Sequence, residues 1–204
     1  LVNDELIVYA GSTLYRINKD TGETIKTGKM AGSSSFSING PTYADGMIFV
    51  ALTNGVVQAF DADSLESLWI YHDPLKGQPN CPITVSNGYA YTGFWNSETR
   101  DASFVCLPIA DERPTASNEE KYAAWRHVQT GGFYWAGACV QNGVLLVGTD
   151  DGQDSTSPVL STGRMLLFDA ATGALLDEVG GICGDVRSTI CYDSGSKAYY
   201  ATSK

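Results

Sequence analysis

Residues 40–71 read as four short extended runs joined by turn signals, and this unit recurs along the chain. Pro41-Thr42-Tyr43-Ala44 is followed by Asp45-Gly46 and then by the apolar run Met47 to Leu52. Thr53-Asn54-Gly55 leads into Val56 to Ala62, Asp63 to Glu66 reverses the chain, and Ser67 to Tyr71 closes the unit. Asp-Gly and Asn-Gly between apolar runs predict two-residue hairpins, because such turns need positive φ. The first half of the unit returns at Leu1 to Ala10, Pro82 to Gly93, Ala138 to Gly148 and Thr189 to Ala201. The second half returns at Thr13 to Gly22 and Met165 to Gly173, with a degenerate copy at Ser103 to Ala110. Gly46 and Gly88 are 42 residues apart, and Gly88 and Gly143 are 55 apart. Repeats of this length, with four short strands each, predict the antiparallel blades of an all-β propeller.

Met47 to Leu52 and Val144 to Val147 are continuously apolar, which suits strands buried on both faces between neighbouring blades. The expected blades are residues 1–30, 41–71, 82–128 and 137–180, with a further blade beginning at 188–204. About four and a half blades are therefore expected, as part of a ring of roughly seven or eight. The alternative is a small closed ring in which Leu6 to Ala10 completes the circle. Polar insertions are expected at Asn96 to Asp101, Asp111 to Lys121 and Asp150 to Pro158, as surface loops. Pro114 to Tyr122 is the best helical candidate, a short turn with Ser117 as its N-cap.

The net charge of −10, with no long Lys/Arg cluster, disfavours nucleic acid and anionic membrane surfaces. No apolar run is long enough to span a bilayer. Five cysteines, Cys81, Cys106, Cys139, Cys183 and Cys191, form no Cys-x-x-Cys pair and no zinc spacing. Cys106, Cys139 and Cys191 fall in apolar strand patterns and read as buried thiols, and a local Cys183–Cys191 disulfide stays open.

Phe168-Asp169-Ala170-Ala171-Thr172-Gly173 resembles the tail of the quinoprotein-type (PQQ-like) propeller repeat. Phe60-Asp61-Ala62-Asp63-Ser64-Leu65, with Trp69 at the closing aromatic position, and Ile17-Asn18-Lys19-Asp20-Thr21-Gly22 resemble it too. Trp125 looks like the tail tryptophan of the third blade. The Asp caps a reversal whose Gly takes positive φ, and the Trp wedges between blades. The resemblance implies an exported, extracellular or cell-surface bacterial protein of the non-enzymatic branch, working as a binding scaffold without a cofactor. Two other members of the family set the alternatives. One is a dehydrogenase that stacks its quinone between a Trp and an adjacent Cys-Cys pair, beside calcium; this chain has no adjacent Cys pair. The other is a periplasmic outer-membrane assembly factor. The implied partners are a protein or glycan, and the remainder of the propeller.

Candidate ligand-binding residues lie where one blade passes to the next, since propellers bind ligands near the axis. Phe133, Tyr134 and Trp135, within Gly131 to Gly137, are a candidate stacking platform. Asp185 and Arg187, in the next such connection, can supply hydrogen bonds or an ion pair. Asp150-Asp151-Gly152-Gln153-Asp154 reads as a solvated tip rather than a calcium loop. His72 and His127 read as edge residues, and no metal site is expected. No catalytic set can be placed: there is no Gly-x-Ser-x-Gly elbow and no phosphate loop.

Overall fold

The computed structural model describes residues 2, 4–35, 37, 39–154, 156 and 162–203. Residues 155, 157 and 158 of the expected insertion after Asp150 lie outside that set. Among the described residues the chain is all strand and turn, with no helix. A first sheet is the meander β1 (Glu5–Ala10), β2 (Thr13–Asn18) and β3 (Thr24–Lys29). A second holds β4 (Thr42–Ala44), β5 (Met47–Leu52), β6 (Val56–Asp61) and β7 (Ser67–His72). In the third, β8 (Thr84–Ser86), β9 (Tyr89–Gly93) and β10 (Asp101–Pro108) come first. The chain then makes an excursion through β11 (Glu119–Lys121) before β12 (Trp125–Thr130) completes that sheet. A fourth runs β13 (Cys139–Gln141), β14 (Val144–Gly148), β15 (Thr162–Asp169) and β16 (Leu175–Cys183). The hairpin β17 (Cys191–Asp193) and β18 (Ala198–Tyr200) follows.

The excursion corrects the helical expectation for Pro114 to Tyr122. Glu119 pairs with Trp69 and Lys121 with Tyr71 in a parallel ladder, making β11 a fifth strand on the second blade. The open edge of β7 supplies the hydrogen-bond partners, and these outweigh a weak local helix preference.

The turns follow from the residues that occupy them. Asp45 and Gly46 have φ of 50° and 75°, Asn87 and Gly88 50° and 79°, and Asn142 and Gly143 50° and 79°. Each pair therefore makes the hairpin turn that joins an inner strand to its neighbour. At the later turn of each repeat Gly22, Leu65 and Gly173 take φ of 74°, 53° and 72°. Leu65 accepts the left-handed conformation while its side chain is buried. The side chains of Asn18, Asp61 and Asp169 each accept two backbone N–H bonds across this turn. Burial disfavours the Asp61 anion, but hydrogen bonds from Ser64 and Asp63, with Lys26 nearby, outweigh it and hold its pKa below the usual 3.8. Asp61→Ala is expected to cost about 1 kcal/mol. Because the folded pKa is depressed, this contribution exists above the unfolded value and fades as pH falls through the folded one. Urea unfolding should thus show a clear deficit at about pH 7 that shrinks near pH 3; an equal deficit at both would contradict the cap.

Blades are joined by alternate faces of the same strands. Ile48, Val50, Leu52, Val56 and Phe60 pack toward the first sheet with Leu14. Phe49, Ala51, Val57, Ala59 and Trp69 pack toward the third with Phe94, Val105 and Leu107. Trp69 Nε1 donates to Ile109 O at 3.1 Å, and Trp125 Nε1 to Ala170 O at 2.9 Å, each crossing to the following blade. These are the tail tryptophans, and each wedges between sheets as the repeat pattern predicts.

Candidate functional site

The two connections singled out in the sequence come together. The segment between β12 and β13 turns sharply at Gly131 (φ 82°) and Gly132 (φ 65°). A Cβ on Gly132 would lie 2.8 Å from Ala102 Cβ and 2.9 Å from Phe94 O, so only glycine lets the chain pass this close to the third blade. Phe133 N then donates to Phe94 O at 3.0 Å, and Asp150 N donates to Gly132 O at 3.1 Å. Val186, from the connection between β16 and β17, donates its N–H to Thr149 O at 3.1 Å. These backbone bonds bring the ends of β9 and β14 to the two connections.

Arg187 is the centre of the resulting cluster. Its Nε donates to Asp150 Oδ1 at 3.0 Å and its Nη2 to Asp150 Oδ2 at 2.8 Å, a two-pronged ion pair. Nη2 also lies 3.0 Å from Asp185 Oδ2, and Asp185 Oδ1 accepts the Asp151 N–H at 3.0 Å. The guanidinium carbon sits 4.7 Å from the Tyr134 ring centre. Tyr134 is in turn 4.9 Å from Trp95 and stacked on Trp135 at 4.5 Å. Trp135 has φ of 60°, a strained conformation for a bulky residue, and its side chain is substantially exposed. Thr149 Oγ1 is sealed from water without a hydrogen-bond partner, and the buried Trp95 Nε1 lies close enough to Asp150 to favour its anion.

Burial dominates the electrostatics. It pushes Asp150 up to about 6, against the lowering effect of hydrogen bonds and charge from Arg187 and with the Asp185 charge adding to the rise. Burial opposes the Arg187 cation, but Asp150 and Asp185 outweigh it and hold the guanidinium charged. Two carboxylates around one guanidinium leave the cluster negative, which suits neutral or cationic groups better than anions.

Tyr134, Trp135, Asp185 and Arg187, candidates from two successive connections, therefore lie in one cluster. Phe133 is not at the surface with them: it is fully buried, 5.1 Å from Phe104, in the core shared by the third and fourth blades. Asp150, expected at a solvated tip, is only 2% exposed and anchors the ion pair. Trp95 and Asp150 went unrecognised, although the repeat carries the signal. Both stand two residues after the glycine that ends the second strand of a blade, Gly93 and Gly148. His72 is exposed, whereas His127 packs 4.9 Å from Phe168 with its Nε2 buried and unpartnered. Burial lowers the His127 pKa, with smaller opposing effects from Gln129 and Glu178. No group of three or more metal-binding side chains occurs among the described residues. A groove of about 660 Å³ lined by Lys26, Leu65 and Asn118 lies at the outer rim, away from this cluster.

No protein-family model matches the chain, and no curated protein does. Solved structures do. The quinohemoprotein alcohol dehydrogenase of Comamonas testosteroni superposes with a TM-score of 0.70 at 13% identity, covering 98% of this chain and 38% of that one. BamB from Moraxella catarrhalis gives 0.69 at 14% identity, covering 99% and 56%. A europium-containing methanol dehydrogenase gives 0.69 at 11% identity, covering 98% and 45%. The chain thus spans between 38% and 56% of the length of these three proteins. At such identities the likeness is one of fold: a β-propeller of the quinoprotein type.

Proposed function

We propose that this propeller is a non-catalytic binding module of an exported bacterial surface protein, and that it holds a glycan on the Trp135 platform. The observation that carries this reading is the strained, exposed Trp135, stacked on Tyr134 beside a half-buried Arg187–Asp185 pair that is anchored on the buried Asp150. A flat apolar ring takes the C–H face of a sugar, while Asp185 and Arg187 at its margin accept from and donate to hydroxyls. The negative cluster favours a neutral sugar. A protein partner presenting a cationic side chain is the other outcome. Trp135→Ala is expected to weaken binding to immobilised neutral glycans at least about tenfold, read by fluorescence titration. Unchanged affinity in the variant would remove Trp135 from the site. Binding of a basic peptide but of no glycan would assign the platform to a protein.

The likeness to two dehydrogenases favours a second reading, a portion of a PQQ- and calcium-dependent enzyme. The residues here do not fit that pair: no two of the five cysteines are adjacent, and the described residues offer no carboxylate cluster for calcium. Joint titration with quinone and calcium separates the readings, since only the enzyme takes up both. A third reading, an assembly factor, is favoured by the likeness to BamB and by β11, which shows that a blade edge here accepts an added strand. The exposed face of the first sheet, with Leu6 and Val8, has the apolar character that packing against another blade would use.

A further inference from the structure

The inner strands of successive blades meet in rungs. Thr42, Thr84, Cys139 and Cys191 each open an inner strand, β4, β8, β13 and β17. Thr42 Oγ1 donates to Ile83 O at 3.0 Å, and Thr84 Oγ1 donates to Ala138 O at 3.0 Å. Each hydroxyl thus reaches the carbonyl just before its counterpart in the next blade. Cys139 holds the third rung, with a thiol where the earlier blades have a hydroxyl, and its counterpart is Cys191. The Ile190 N–H donates to Gly137 O at 3.2 Å, which draws the two strands together immediately before the cysteines. β13 and β17 lie side by side, with Cα atoms of the two strands within 8 Å, and Cys191 is near enough to act electrostatically on Cys139.

We propose that Cys139 and Cys191 form an interblade cross-link site, a disulfide that staples β17 to β13 when the protein meets a disulfide oxidant. Both thiols are free in the structure, Cys139 half-buried and Cys191 exposed. With glutathione disulfide as oxidant, the Cys191 thiolate attacks one glutathione sulfur and releases the other as a thiolate. The Cys139 thiolate then attacks Cys191 Sγ and expels the second glutathione. One disulfide is reduced, one is formed, and two protons leave the protein thiols. Burial, with Cys191 nearby, raises the Cys139 pKa although the Tyr192 N–H opposes this, so closure should accelerate with rising pH. Two of the other cysteines are withdrawn from this chemistry by burial, and the third is exposed on a different strand. Cys81 Sγ donates to Phe133 O at 2.9 Å in the core, Cys106 is fully buried, and Cys183 ends the outer strand β16.

The test is incubation of the full chain with glutathione disulfide, followed by non-reducing peptide mapping. The expected product is a Cys139–Cys191 linked peptide pair, lighter by two hydrogen atoms, in wild type and in Cys183→Ser alike. Its melting temperature should rise by roughly 5 to 10 °C and fall back on reduction. Cys139→Ser should instead stop at glutathione attached to Cys191. A Cys183–Cys191 link in the wild-type protein, a persistent Cys191–glutathione adduct beside free Cys139, or no reaction would each overturn the assignment.

Discussion

Replacing Arg187 with Met should cost about 3–5 kcal/mol of folding free energy at neutral pH, one of the two largest losses expected from a single change in this chain. The reason is the carboxylate it leaves behind. Asp150 is sealed under the connection between β12 and β13, and Arg187 supplies both charge-assisted bonds to its oxygens. Without the guanidinium, an anion remains in a site that water does not reach. The pH dependence identifies this cause. The Asp150 pKa of about 6 lies above the usual 3.8. A raised carboxyl contributes stability that is complete below the unfolded value and is lost as pH rises through the folded one. Loss of the cation raises the folded value further, so Arg187→Met should regain part of its deficit between about pH 7 and pH 5. Asp150→Asn combined with Arg187→Met should be more stable than Arg187→Met alone at neutral pH. Denaturant unfolding of the two variants and the wild type measures all of this. A deficit under about 1 kcal/mol, or one independent of pH, would mean that the ion pair does not hold the connection.

Trp69→Ala should be comparably damaging, at about 3–5 kcal/mol. Trp69 is fully buried between the second and third blades, 5.8 Å from Phe49, with the Lys121 ammonium 5.5 Å from its ring centre. Truncation opens a cavity on the face that joins the blades. It also strands Ile109 O, and it removes the aromatic partner of a lysine that is itself buried. Trp69→Phe separates these effects: most of the packing stays, and the loss should fall to about 1–3 kcal/mol from the unpaired carbonyl. Thermal unfolding followed by circular dichroism gives the comparison. Equal losses for Ala and Phe would show that the hydrogen bond rather than the wedge dominates.

Turn chemistry was legible because it is local. Asn142-Gly143 can adopt paired positive φ wherever it stands, and Asp169 reaches its own following N–H groups without help from another blade. The continuous apolar run Met47 to Leu52 likewise declared that both faces of β5 are covered. The site was only half legible. Tyr134, Trp135, Asp185 and Arg187 were reachable because equivalent connections in a repeat must converge on one face. Asp150 was not, because the same Asp-rich string is a solvated tip or a buried anion depending on what lies over it. Here the glycine turn at residues 131–132 and the Val186 backbone lie over it. Cys191 was expected to be buried and is exposed, because no strand of the described residues covers that side of β17 as β13 covers the other. Pro114 to Tyr122 became a strand rather than a helical turn because a neighbouring blade offered an unpaired edge. Hairpins and repeat length were thus written in the chain itself, since they depend on φ preferences and alternation within a few residues. Which polar groups are buried, and which edges are filled, was decided by the packing of one blade on another, since desolvation and ladder pairing depend on groups far away in sequence.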